Sequence, residues 1–184
     1  MSYFNIVAQS SESTVVTEYK PQSKRSEAYQ SEADLEKEFI RLLCELGYER
    51  LTIHKEADLI ANLRTQLEKL NNYRFTDGEW KRFWDEVLAN TNSGILEKTR
   101  LIQEDYVQVL RRDNGESKNI QLIDKKCIHN NSLQVINQYA ISTEEGAAHD
   151  NRYDVTVLVN GLPLIHIELK RRGVPIREAF NQID

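Results

Sequence analysis

Cysteine is nearly absent from this chain. Only Cys44 and Cys127 occur in 184 residues, far apart and without a metal-ligand spacing. Two lone cysteines argue against a disulfide scaffold and fit a reducing cytosol; Cys44, among leucines, reads as a buried structural thiol. Long apolar runs are lacking too. No stretch approaches the roughly 20 residues that a membrane span needs, so no membrane partner is expected. The opening MSYFNIVAQSSESTVV has no basic segment followed by an apolar one, the pattern of a secretory signal. A basic excess is the third absence. Net charge is −5, whereas a protein gripping nucleic acid over its whole surface carries a basic stripe. If DNA is the substrate, this domain alone should hold it weakly. No internal repeat or low-complexity tract appears. What remains, 40% hydrophobic and 29% charged residues, is the composition of one globular domain.

Residues 1–28 are polar and aperiodic, which predicts an arm with at most a short strand at Thr14-Val15-Val16-Thr17. Ser31 then caps a helix with Glu32 and Asp34 in its first turn, an apolar stripe of Leu35, Phe39, Leu42, Leu43 and Leu46, and Gly47 as its stop. A second helix spans 55–72, with Leu59, Ile60, Leu63, Leu67 and Leu70 inward. Thr76-Asp77-Gly78-Glu79 resembles a capping box before a third helix carrying Trp80, Phe83, Trp84, Val87 and Leu88. The segment 94–110 begins as a helix, but Tyr106 to Leu110 alternates like a strand. After the charged loop Arg111–Lys118 the apolar spacing shortens, giving strand candidates at 120–123, 133–136, 153–159 and 164–169. Residues 142–151 form a polar loop between the second and third. Val174 to Asp184 starts an amphipathic helix that stops without a C-cap, so a fragment of a longer polypeptide is expected. Helices first and strands afterwards, with a final helix, argue for an α/β or α+β domain.

The chemistry concentrates in the last two strands. Asn160-Gly161 between apolar runs is a strong hairpin signal. In the second strand Ile165, Ile167 and Leu169 share one face, and Glu168 and Lys170 share the other, with His166 beside them. Asp154 joins that face only if the loop holds an odd number of residues or a bulge intervenes, because a one-residue slip turns a strand over. A three-residue turn over Val159-Asn160-Gly161, with Gly161 left-handed, meets the condition. Converging Asp154 and Glu168 carboxylates form a hard-oxygen site for Mg2+, with the Leu169 backbone carbonyl as a further ligand. Such a cation orients and acidifies water, and Lys170 would steady a phosphate: the logic of phosphodiester hydrolysis. An Asp followed by Glu-x-Lys is also common on solvated strand faces. The apolar flanks and shared face strengthen the catalytic reading without displacing the bland one. His166 reads as a bystander or DNA-side polar residue, and Arg171, Arg172 and Arg177 as surface charge able to meet phosphates beside a metal site.

The run RYDVTVLVNGLPLIHIELKRRGVPIREAFNQI closely resembles the nuclease motif region of the restriction (motor) subunit of type I restriction-modification enzymes. YQSEADLEKEFIRLLCELGYE looks like the same subunit's first helix, and LIDKK also fits, so the resemblance covers the chain from about residue 29 onward. It implies a PD-(D/E)xK (restriction-endonuclease-like) fold, a mixed central sheet flanked by helices, cutting double-stranded DNA with Mg2+. Residues 29–184 would be the endonuclease domain, with extra helices inserted at about 55–110. The motif maps its two acids onto Asp154 and Glu168 and its lysine onto Lys170; Tyr153 stands where the pattern often has proline. Related nucleases add a first-helix glutamate, for which Glu36 is the first candidate and Glu32 the second; a helix-surface carboxylate is the plain alternative. Gln182 matches the glutamine of a Gln-x-x-x-Tyr motif whose tyrosine position lies past residue 184. The resemblance further implies specificity and methyltransferase subunits as partners, and an ATP-driven translocase elsewhere in the parent subunit. These 184 residues contain no Gly-x-x-x-x-Gly-Lys-Ser/Thr loop, so ATP belongs to those motor domains. Two other classes share the residues: a non-catalytic subunit-interaction module retaining the nuclease fold, and a nuclease acting on RNA.

Overall fold

Val15 to Thr17, part of the run from which one short strand is expected, lies in a strand that pairs with a second one. Strands β1 (Tyr3–Gln9) and β2 (Val15–Lys20) pair antiparallel with a register shift between Ile6 and Ala8. A ladder is built from backbone groups, so a polar, weakly alternating segment can pair without announcing itself. The computed structural model describes residues 3–9, 15–20, 31–140 and 152–170. Residues 1–30 form one compact unit and 31–184 another.

Helix α1 (Glu32–Glu45) starts at Ser31, whose hydroxyl accepts the Asp34 N–H at 3.1 Å. Its packed face overlaps the expected stripe only in part. Ile40 is buried with the expected Phe39 and Leu43 packed beside it, whereas Leu42 and Leu46 are exposed, as is Cys44, which the sequence reads as a buried thiol. At 3.6 residues per turn this places the packed face roughly 60° round from the leucine stripe. The rotation has a polar anchor, because it brings Glu36 onto the sheet, where two amides hold it.

The sheet has four strands in the order β3 (Glu49–Arg50), β6 (Leu133–Ala140), β7 (Arg152–Val159), β8 (Leu162–Ile167). β3 runs parallel to β6, and the other pairs are antiparallel, so the sheet is mixed as expected. Val135 and Val155 pack against Ile40 of α1, and Ile136 and Leu158 pack with Ile53 and Leu59. Leu59 belongs to helix α2 (Glu56–Asn71), so α1 and α2 cover residues of alternate parity on the same strands.

A long segment separates β3 from β6. It comprises α2, α3 (Asp77–Phe83) continued by a π-helical turn (Trp84–Leu88), α4 (Ile95–Gln103), and a hairpin of β4 (Val107–Arg111) and β5 (Ser117–Gln121). Leu63, Leu67, Phe75, Trp80, Phe83, Leu110, Ile120 and Leu122 make its core, and Leu162 of β8 joins them. The capping box is formed as the sequence predicts: Thr76 Oγ1 accepts the Glu79 N–H, and Glu79 accepts the Thr76 N–H. No helix among the described residues is long and apolar enough to cross a membrane.

Glu79 does more than cap. Only 3% exposed, it also accepts Tyr73 Oη–H at 2.8 Å and the Asp113 N–H at 3.1 Å. Burial alone pushes its carboxyl up, but the Thr76, Tyr73 and Asp113 donors together outweigh this and hold it below its ordinary 4.5. A group whose folded value is depressed stabilises the fold above its unfolded value, and that stability is lost as pH falls through the folded value. Glu79→Gln should therefore cost about 1–3 kcal/mol at neutral pH. Chemical denaturation across pH 3–7 should show the two proteins converging at the acid end; a constant gap would contradict the assignment.

Candidate active site

Local chain geometry first decides where Asp154 sits. Asn160 (φ 51°) and Gly161 (φ 82°) are both left-handed, and Val159 faces Leu162, so the hairpin closes with a two-residue turn. The expected three-residue turn is thus corrected. Asn160 is buried and makes the two-residue form rigid: Nδ2 donates to Leu122 O and Asn131 Oδ1, and Oδ1 accepts the Ser132 N–H at 2.8 Å. A two-residue turn alone would turn Asp154 to the wrong face. The strand corrects this itself. Leu158 faces Pro163, but Val157 faces Ile165, which leaves Leu164 as the extra residue of a bulge. Beyond it Thr156 faces His166 and Val155 faces Ile167, the last pair of the ladder; the same register carried one residue further would bring Asp154 opposite Glu168.

At this level β7 and β8 part. The β8 ladder ends at Ile167, and Asp154 Oδ2 accepts the Leu169 N–H at 2.8 Å in place of a backbone carbonyl. Lys170 Nζ donates to Glu168 Oε1 at 2.5 Å, with the two side chains only 16% and 8% exposed. Burial acts to lower the Lys170 pKa, but the Glu168 hydrogen bond and the charges of Glu168, Glu32 and Asp154 outweigh it and raise the pKa overall. Lys170 is therefore cationic at neutral pH.

The neighbouring groups divide clearly. Glu32 acts on Lys170 through its charge. Glu36 is bound to β6, with Asn137 Nδ2 donating to Oε1 at 2.7 Å and Gln138 Nε2 donating to Oε2. His166 Nδ1 lies 3.0 Å from Thr156 Oγ1, and its ring stacks on Tyr153 with centroids 4.0 Å apart. Burial lowers the His166 pKa, which favours the neutral ring. Strict alternation would send Tyr153 to the other face from Thr156, so β7 leaves plain alternation beside Asp154. Gln138, where the β6–β7 ladder skips a pair between Asn137–Val155 and Tyr139–Tyr153, is left-handed at φ 57°. Such backbone in a non-glycine residue costs about 1–2 kcal/mol and gathers where structure over-determines it. Nothing in the strand run Leu133 to Ile136 marks Asn137 and Gln138, which look like an ordinary polar strand end. Arg171, Arg172, Arg177, Gln182 and the final helix lie outside the described residues.

A mixed sheet flanked by helices, with an acid pair and a lysine where a hairpin opens, defines the class as an α/β domain with a candidate acid–lysine site. Residues 29–184 match the family described as type I restriction enzyme R protein N terminus (HSDR_N), and the chain belongs to that family. Among curated proteins it is 48% identical over 178 residues to the type I restriction enzyme EcoprrI endonuclease subunit of Escherichia coli, covering 96% of this chain and 56% of that protein. It is 41% identical over 161 residues to the SauMSSORF170P endonuclease subunit of Staphylococcus aureus (strain MSSA476), covering 85% and 16%. The HindI endonuclease subunit of Haemophilus influenzae is 35% identical over 85 residues, covering 44% and 8%. The chain thus spans 56% of the length of the first of these relatives and much less of the others.

Proposed function

We propose that this chain is the DNA-cutting domain of a type I restriction R subunit, a Mg2+-dependent endonuclease of the PD-(D/E)xK fold, with Asp154, Glu168 and Lys170 as its catalytic residues. The observation that carries the reading is the bulge at Leu164, which shifts the β7–β8 register toward an Asp154–Glu168 alignment, together with the Lys170–Glu168 ion pair. Family membership and relatives named as endonuclease subunits support it.

Among the described residues no group of three or more His, Cys, Asp or Glu side chains is placed to hold a metal ion. Two carboxylates with the Leu169 carbonyl would suit the chemistry of Mg2+, which takes one or two acids and keeps waters and phosphate oxygens. When bound, the cation supplies Lewis-acid stabilisation of the phosphoryl oxygen and an acidified water. The chain's own residues do the orienting. Asp154 is fixed through Oδ2 by the Leu169 N–H and Glu168 through Oε1 by Lys170, so the cation would take the other oxygen of each. Cationic Lys170 would meet negative charge building on the phosphate, in a partly buried setting that strengthens the interaction. The net charge of −5 leaves retention of double-stranded DNA to the specificity and methyltransferase subunits and to the ATP-driven motor domains, acting together in the cytoplasm.

The test is Mg2+ binding by the full chain. A tenfold excess over Kd should stabilise the fold by about 1.4 kcal/mol, a melting shift of about 3–6 °C. Asp154→Ala should lose that shift. An equal shift in both proteins would sink the site.

A further inference from the structure

An imidazole beside the two acids is held from two directions. Thr156 is fully buried, and its hydroxyl lies 3.0 Å from Nδ1 of His166, the residue facing it on β8. A buried hydroxyl proton left unpaired is costly, so Thr156 donates and Nδ1 accepts. An imidazole that accepts through Nδ1 carries its proton on Nε2, here the pole away from Thr156 on an exposed residue. Satisfying Thr156 needs only that one contact. Yet the imidazole is also stacked on Tyr153, with 4.0 Å between ring centroids and 17° between planes. By alternation Tyr153 belongs on the side of Val155, which packs on Ile40 of α1, away from Thr156. Its ring is nonetheless against His166, and the β6–β7 ladder is irregular just there, skipping from Asn137–Val155 to Tyr139–Tyr153. The hydrogen bond fixes the imidazole within its plane, and the stack fixes the plane itself. Both acids adjoin the pair. Tyr153 precedes Asp154, and His166 precedes Glu168 by two residues, about 7 Å along an extended chain.

We propose that His166 is a substrate-positioning residue whose Nε2–H donates to a phosphate oxygen of the DNA strand being cut, with Thr156 and Tyr153 fixing its aim. This rests on the nuclease reading above. Nε2 is a donor whether or not the ring is charged, so the contact does not depend on titration of the ring. A DNA phosphate is the anion such a site must already admit, and a donor preset in direction loses little freedom when it arrives.

Two amides separate this role from simple support of Thr156. Asparagine puts its carbonyl oxygen near the place of Nδ1 and leaves nothing at Nε2. Glutamine carries its amide to the place of Nε2 and leaves Thr156 without its acceptor. Each substitution is made in this chain, for its melting temperature, and in a full-length R subunit assembled with the specificity and methyltransferase subunits, for cutting of unmodified plasmid DNA. His166→Asn should melt near wild type yet cut about tenfold more slowly. His166→Gln should melt about 2–4 °C lower but cut several times faster than His166→Asn. Wild-type cutting by His166→Asn overturns the inference. So does His166→Asn melting as low as His166→Gln, or His166→Gln cutting as slowly as His166→Asn or more slowly. Asp154→Ala cutting like wild type would instead sink the nuclease site on which the inference rests.

Discussion

On the proposed reading, Asp154→Ala and Lys170→Ala, each placed in a full-length R subunit that carries the motor domains and assembled with the specificity and methyltransferase subunits, should cut DNA about 10³-fold or more slowly while ATP hydrolysis is unchanged. The two substitutions remove different things. Without Asp154 the Leu169 N–H loses its acceptor and the cation loses an anionic ligand. Without Lys170 the acids stay, but Glu168 loses the cation 2.5 Å from its Oε1 and the phosphate loses its positive partner. The double variant should lose little more than either single one, since removing one member of a group that acts as a unit already removes most of its effect. Intact ATP hydrolysis separates this from unfolding or failed assembly, because no ATP-binding loop exists in the 184 residues. Gel analysis of unmodified plasmid DNA, with phosphate release followed in the same tube, reads both quantities. Substantial cutting by either variant would overturn the assignment.

The second large effect is on stability. Gly161→Ala should lower the melting temperature by about 10 °C, from a loss of about 3 kcal/mol. Two penalties combine. A left-handed backbone at φ 82° costs a side chain about 1–2 kcal/mol. A methyl there would also lie 2.6 Å from Leu63 Cα and 3.0 Å from Leu63 N, backbone that cannot swing aside. Gly115→Ala is the internal control. Gly115 has φ 84° but nothing within 4 Å, so only the first penalty applies and the loss should stay near 1 kcal/mol. Equal losses at the two glycines would mean the hairpin tip is not wedged against α2. That wedge matters for the site, since Asn160 and Gly161 fix one end of the hairpin whose other end carries Asp154 and Glu168.

What was legible in advance follows from how local each signal is. Ser31 and the Thr76–Glu79 box end and start helices through contacts three residues apart, and both are formed as read. Asn160-Gly161 announced a hairpin because few dipeptides tolerate two left-handed residues. The need for a parity correction before Asp154 was also legible, but its place was not. Leu164 is as apolar as its neighbours, and a bulge leaves no composition mark when the extra residue resembles the rest. The rotated face of α1 escaped for a related reason: leucines supply the stronger stripe, yet Ile40 and Glu36 meet the sheet. Gln138 was invisible altogether, since its amide meets a carboxylate about a hundred residues away in sequence.

The most direct measurement is anomalous diffraction from crystals of the chain grown with Mn2+ in place of Mg2+. A peak bonded to Asp154 and Glu168 carboxylate oxygens, at roughly the 2.0–2.2 Å of a hard-cation bond, is the predicted result. An ordered Mn2+ bound elsewhere, with Asp154 and Glu168 turned away from one another, would contradict it.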